Sequence, residues 1–329
     1  GYYAAHGYGL RSDAVPLMER GLALAEQLTD VAGVIEIARL LAHVLVYHTG
    51  EIGRGLELFH RSCEEARNMG DLVALSESAS YLSRESAFLR DTEVALRWAE
   101  EAAEAATQVG TPRHQVLSAL NLAWACILQG DATRARLSLE TAQQIARKGG
   151  VEVNQSAADA ALPVVPGRVH VFLGDWDEAE TELLQLLEFS KQIHHEPLRL
   201  LWISPDLGWL HLEQGDFATA KTHLQESLDF AQAVGDYPPE LVARALLAQV
   251  TCQSGELEEA AVHLDQAREI LSQSPDWRGL AAEVRLAEGV LATAQRRWPE
   301  AEAAFQQAVA INRHYHLPYY EARSLLEWG

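Results

Sequence analysis

The sequence predicts an all-α protein, a right-handed α-solenoid of about eight antiparallel helix pairs. Three observations carry this expectation. First, a hexad typified by Gly174-Asp175-Trp176-Asp177-Glu178-Ala179 recurs along the chain. Clear copies begin at Gly130, Gly215 and Gly255, looser ones at Gly9 and Gly50, and two without glycine at Arg90 and Arg296. The starts at 9, 50, 90, 130, 174, 215, 255 and 296 give steps of 41, 40, 40, 44, 41, 40 and 41 residues. A fixed period near forty marks a repeat array rather than a globular core. Second, a small residue lies seven positions before most turns: Ser83, Ala123, Gly167, Gly208, Ala248 and Gly289, with His43 as the exception. Third, there are no alternating Val/Ile/Thr-rich runs of the kind that make strands.

The hexad has a physical logic. Glycine tolerates the left-handed conformation that ends one helix and reverses the chain. The acidic residue after it sits at the start of the next helix, where a carboxylate meets free N–H groups and the positive dipole end. The alanine five positions after the glycine leaves room for a close helix crossing. An apolar stripe follows, such as Leu183, Leu186 and Phe189, or Leu264, Ala267 and Ile270. Each unit thus reads as helix A, turn, helix B.

In chain order, B helices are expected near 13–28, 52–67, 93–109, 132–148, 177–193, 217–234, 257–272 and 299–313. A helices fill 32–48, 72–89, 115–129, 158–173, 198–213, 240–253, 279–295 and 318–328. Residues 2–6 read as the end of a further A helix, and the last A helix has no B partner within the sequence. The whole of 1–329 is therefore expected to be one solenoid, a segment of a longer multidomain protein. The 44-residue step holds a Gly149-Gly150 loop followed by Pro163 and Pro166, and Pro205 falls inside the next A helix. Proline inside a helix removes a hydrogen bond and kinks or breaks it, so the inner surface is expected to be reshaped there.

Composition narrows the function classes. Lys and Arg number 26 against 47 Asp and Glu, a net charge of −21, which argues against direct contact with nucleic acid. Acid along the B helices (Glu100, Glu101 and Glu104; Glu178, Glu180 and Glu182) reads as a solvated outer face. Cys63, Cys126 and Cys252 lie in three different repeats, so disulfides are not expected and a reducing cytoplasm is. No signal-peptide pattern is visible, and the uncharged stretch at 116–128 is too short for a bilayer, which needs about 20 residues.

The chain lacks a P-loop and a nucleophile elbow. His194-His195 and His314-Tyr315-His316 fall at B-helix ends, where imidazolium suits the negative dipole end. No catalytic residue, metal site or cofactor is expected. Trp176 and Trp298 occupy the aromatic turn position and are expected to pack between helices.

The repeat, a small residue followed by Gly-Asp-aromatic and then Ala, resembles the tetratricopeptide repeat. Its forty-residue period exceeds the usual 34. That length, with A-x-x-x-x-x-x-G-D-x-x-x-A in most units, looks like the type found in maltotriose-responsive transcription activators and related signal-transduction ATPases. The resemblance covers essentially the whole chain. It implies that A helices line the concave face, with the residues six and nine before each turn pointing inward. The inward positions then collect Tyr81, Arg84, Asn121, Trp124, Arg168, Asp206, Trp209 and Gln249, with Trp202 one turn further back. Aromatic faces with convergent polar groups suit a protein or peptide, or a small polar inducer. For Trp124 and Trp209, packing between repeats is the alternative role, and for Arg168 a local pairing with an acid such as Asp206. Two functions remain: a non-catalytic sensor domain beside an ATPase that regulates transcription, with self-association possible in the full-length protein, or an interaction scaffold that binds a peptide or helix in its groove.

Overall fold

A computed structural model describes residues 14–151 and 163–329. Among them the chain forms sixteen α-helices and no strand. They run α1 (Val15–Gln27), α2 (Val31–Val44), α3 (Ile52–Met69), α4 (Leu72–Phe88), α5 (Thr92–Val109), α6 (Pro112–Leu128), α7 (Ala132–Gly149) and α8 (Val165–Leu173). Then follow α9 (Trp176–Gln192), α10 (Ser204–Gln214), α11 (Phe217–Val234), α12 (Tyr237–Gln253), α13 (Leu257–Leu271), α14 (Ala281–Ala294), α15 (Trp298–His314) and α16 (Pro318–Trp328). Even-numbered helices are A helices and odd-numbered ones B helices, so the chain is an α-solenoid of antiparallel pairs. The first A helix and residues 158–162 of the fifth lie outside the described residues.

Two compact units emerge from the contacts. Among the described residues the first comprises 14–88, 92–127, 131–151 and 163–165, and the second 89–91, 128–130 and 166–329. The first has a core in which Leu22 and Ala25 of α1 meet Val34, Ala38 and Leu41 of α2. The second is built around Leu210, Leu224, Leu228, Leu247 and Val250, with Trp209 among them.

The turns adopt the conformation the hexad demands. Gly50, Gly130, Gly174, Gly215 and Gly255 are left-handed, with φ between 72° and 82°. Arg90 and Arg296 take the same turn without glycine, at φ 61° and 59°. Position, set by the helices on either side, overrides residue preference there. An L-residue is strained in this region by about 1–2 kcal/mol, partly offset by the larger unfolded-state entropy of glycine. Arg296 is exposed, so Arg296→Gly should stabilise the chain by roughly 0.5–1 kcal/mol, read as a higher Tm; a lower one would mean the arginine side chain holds the turn. The next residue behaves as expected at two aspartates: Asp131 and Asp216 accept hydrogen bonds from the backbone N–H of Arg134 and Thr219, whereas Asp175 makes no such cap bond.

A second left-handed series, at the B-to-A turns, has no counterpart in the hexad. Thr29, Gly70, Gly110, Gly150, His194, Gly235 and His316 occupy it. His194 and His316 thus end their helices as the left-handed residue itself, one step beyond a dipole contact.

The crossings are as close as small residues permit. Ala135, Ala179, Ala220 and Ala260 are fully buried. A methyl group on Gly208 would come within 2.5 Å of Leu224 Cγ and 3.4 Å of the Ala220 carbonyl oxygen. Ala179→Leu is therefore expected to overpack its crossing and cost roughly 1–3 kcal/mol; an unchanged thermal melt would contradict this packing.

Wide π-type turns account for two departures. One, Leu45–Thr49, continues α2, and the other, Leu198–Ile203, leads into α10. Each falls in a 41-residue step, where the turn takes up one extra residue; the 40-residue steps have none, and the third 41-residue step, from 255 to 296, has a 3₁₀ turn at Arg278–Leu280 instead. In the first case the close approach moves from position 43 to 42: a methyl on Gly55 would lie 2.9 Å from the Ala42 carbonyl oxygen. His43 is out of pattern because the pattern has slipped by one. In the second case Pro205 stands in the first turn of α10, just past the wide turn, and does not break the helix. Pro166 likewise sits in the first turn of α8, where a missing N–H costs nothing.

One expectation fails. Trp176 and Trp298 do not pack between helices; they are 39% and 60% exposed. The segment Val31–Thr49 is long and apolar enough to cross a bilayer, with a mean hydropathy of 1.5. In the fold it is a core helix, with Leu41, Ala42 and residues 44–47 buried.

Candidate functional site

The nine residues expected to face inward fall into two groups, one in each unit. In the first unit Tyr81 and Arg84 lie on α4, and Asn121 and Trp124 on α6. Arg84 is buried, its guanidinium stacked 4.4 Å over the Tyr81 ring and paired at 2.7 Å with Glu85. Tyr47 from the wide turn donates to the other Glu85 oxygen at 2.6 Å. Arg39 approaches the same Tyr81 ring, 4.9 Å from its centroid. Trp124 is buried. Asn121 is 1% exposed, and neither end of its amide has a hydrogen-bond partner. Buried polar groups are normally satisfied, which makes Asn121 the least expected member of the set.

His43 belongs to this neighbourhood. Its ring stacks 4.4 Å from that of Tyr47. Burial, and then the nearby charges of His48 and Arg84, hold its pKa well below the ordinary histidine value. The folded state therefore keeps His43 neutral, while the unfolded chain takes up a proton below about pH 6.5. Its contribution is full above that pH and is lost as the pH falls through the window below it, at up to about 1.4 kcal/mol per pH unit. Burial likewise lowers His195, His223 and His263. Thermal melts from pH 7.5 down to 5 should show a steady fall in Tm that His43→Gln makes shallower; parallel slopes would remove His43 from the account.

In the second unit the inward residues come from α8, α10 and α12. Arg168 grips Asp206 with its Nε at 3.1 and 3.2 Å from the two carboxylate oxygens and its Nη2 at 2.8 Å. Burial pushes the Asp206 carboxyl up in spite of Arg168. Trp209 donates from Nε1 to Glu213 at 3.0 Å, and its ring packs against Phe172, Tyr319 and Tyr320. Trp202 is buried within the wide turn. Gln249 donates to Glu283 at 3.4 Å and accepts from Arg323 at 2.7 Å.

Glu283, Arg90 and Arg323 were not among the expected residues, yet they form the centre of this group. Arg90 donates to Glu283 at 2.8 Å and lies 3.8 Å over the Tyr320 ring. Burial works to raise the Glu283 carboxyl, but Arg90 and Arg323 overcome it and hold it below its ordinary range. Counting back from each turn finds only A-helix positions; Arg90 is itself a turn residue, and no local pattern points to it.

Burial pushes the Cys126 and Cys252 thiols up to about 11, and Cys63 higher, so all three are poor nucleophiles. Among the described residues no three His, Cys, Asp or Glu side chains converge as metal ligands.

Comparison with known proteins agrees with this architecture. Residues 167–233 match one tetratricopeptide repeat family and residues 211–284 a second. The chain is a TPR-like solenoid. No curated protein matches it in sequence. Among solved structures it is similar to a Rap protein complexed with competence and sporulation factor, at a TM-score of 0.60 and 13% identity, covering 96% of this chain and 98% of that one. It is also similar to Cut9 from the Cut9–Hcn1 hetero-tetramer of the APC/C, at a TM-score of 0.50 and 14% identity, covering 89% of this chain and 52% of that one. At these identities the likeness is one of fold, and the TPR-like frame extends well beyond the residues the repeat families match.

Proposed function

We propose that this TPR-like chain is a non-catalytic scaffold that binds a protein or peptide on its inward helices. One observation carries the reading: the frame is constant while the face is variable. The crossing positions stay small and buried from repeat to repeat. The position six before each turn runs Val44, Arg84, Trp124, Arg168, Trp209, Gln249 and Val290. A fixed frame under a changing row of aromatic and guanidinium groups suits recognition of an irregular partner, which must open the packing around this row because all seven residues are buried. Both solved relatives were captured with a bound protein or factor, which supports the same reading.

Peptides selected from a displayed library against the intact chain provide the test. Binding of a selected peptide should weaken roughly tenfold or more in Trp124→Ala or Arg168→Ala. It should also weaken in Asn121→Ala, which removes an amide with no partner of its own. If all three fold like the parent and bind with parental affinity, the inward face is not the site.

A narrower reading makes this solenoid the cytoplasmic sensor segment of a signal-transduction ATPase that regulates transcription, responding to a partner or a small polar inducer. The forty-residue period and the hexad favour it. Residues encoded upstream of Gly1 decide the matter: a P-loop module there would support it, and an upstream sequence without one would end it.

A further inference from the structure

Helix α16 is held on the second unit by charge and aromatic contacts more than by apolar depth. Only Tyr320 and Ser324 of its eleven residues are buried. Tyr319 and Tyr320 close on Trp209 and Phe172, with ring centroids between 4.7 and 6.2 Å apart. Arg323 reaches three A helices at once: Glu213 on α10 at 2.9 Å, Gln249 on α12 at 2.7 Å and Glu283 on α14 at 3.4 Å. Two carboxylates and an amide oxygen converging beside an aromatic floor form a guanidinium site, since the planar fork of arginine can engage several acceptors together.

The two buried carboxylates of the site each have an arginine partner that is not on α16. Arg90 pairs with Glu283 and Arg168 with Asp206. Undocking thus leaves neither buried carboxylate stranded, which would otherwise be the main obstacle to release. The vacated surface carries Glu213 and Glu283 against Arg90, an excess of acid that favours a cationic replacement.

We propose that this surface is a receptor for a helix carrying an aromatic pair followed by an arginine, with α16 as its resident, displaceable occupant. The proposal rests on the scaffold reading and names the partner class for its second unit. A labelled peptide with the sequence of residues 315–329, titrated into the intact chain and into Arg323→Ala, tests it. In Arg323→Ala the backbone amides of α16 should exchange with deuterium faster than those of α14 and α15. The peptide should bind that variant roughly tenfold or more tighter than the intact chain, because the internal competitor has gone. Arg323→Lys, which keeps the charge but loses the fork, should give the same ordering at smaller amplitude and serves if the alanine variant does not fold. Undiminished protection of α16, or equal peptide binding by parent and variant, overturns the proposal. A chain that binds no library peptide would count against the scaffold reading and leave the exchange result intact, so the two failures are distinguishable.

Discussion

Glu283→Ala is expected to cost the second unit about 3–5 kcal/mol, the largest single loss on its inward side. The carboxylate is 3% exposed and receives Arg90, Arg323 and Gln249 together. Its removal leaves Arg90 pressed on Tyr320 with no counter-charge, and Arg323 with Glu213 alone as a carboxylate partner. A buried charge without a partner is costly because the medium around it solvates it poorly. Glu283→Gln should recover part of the loss, since the amide oxygen still accepts from Arg90. Denaturant unfolding of parent and both variants measures the order; a Glu283→Ala chain within 1 kcal/mol of the parent would mean that water replaces the carboxylate.

Trp98→Ala should cost the first unit a similar amount, about 3–5 kcal/mol. Trp98 is 1% exposed and one of the largest fully buried side chains in the protein. It lies on α5, where His60 meets its ring edge-on at 5.3 Å and the guanidinium groups of Arg67 and Arg97 lie 5.5 and 5.3 Å from its centre. Alanine would leave a cavity and remove these contacts at the same time. Trp98→Phe keeps most of the volume and should lose clearly less. Comparable melts for the alanine variant and the parent would show that the neighbouring B helices close over the gap.

Both residues illustrate what the sequence could and could not reveal. Helix type and order follow from the hexad, because turn chemistry and the small crossing residue are local and repeat; most helix ends fall within a few residues of expectation, but the A helix expected at 158–173 begins at Val165 and the one expected at 198–213 becomes α-helical only at Ser204. Trp98 escaped because the eighth position after the turn start has no common type: Leu58, Ser138, Glu182, His223, His263 and Ala304 share it. Glu283 and Arg90 escaped because they are 193 positions apart in the chain and meet only through the fold. The exposed Trp298 shows the opposite error, in which a residue type usual at its position was read as a contact. The step lengths of 41 against 40 carried the extra residue but not its form, since the step from 255 to 296 is also 41 and has no wide turn.

Those wide turns have a consequence for how such a face can change. In an α-helix each residue advances the angle by about 100°. One residue absorbed as a π turn takes up that angle within the turn, so the crossings on either side keep their places and only the side chains of the turn itself change register. Trp202 lies within the turn at Leu198–Ile203, and Trp209 lies on the regular helix that follows it. A single inserted codon in an A helix can in this way change the side chains presented by one repeat while the crossings around it stay fixed. The solenoid can thus vary one repeat at a time without rebuilding its frame.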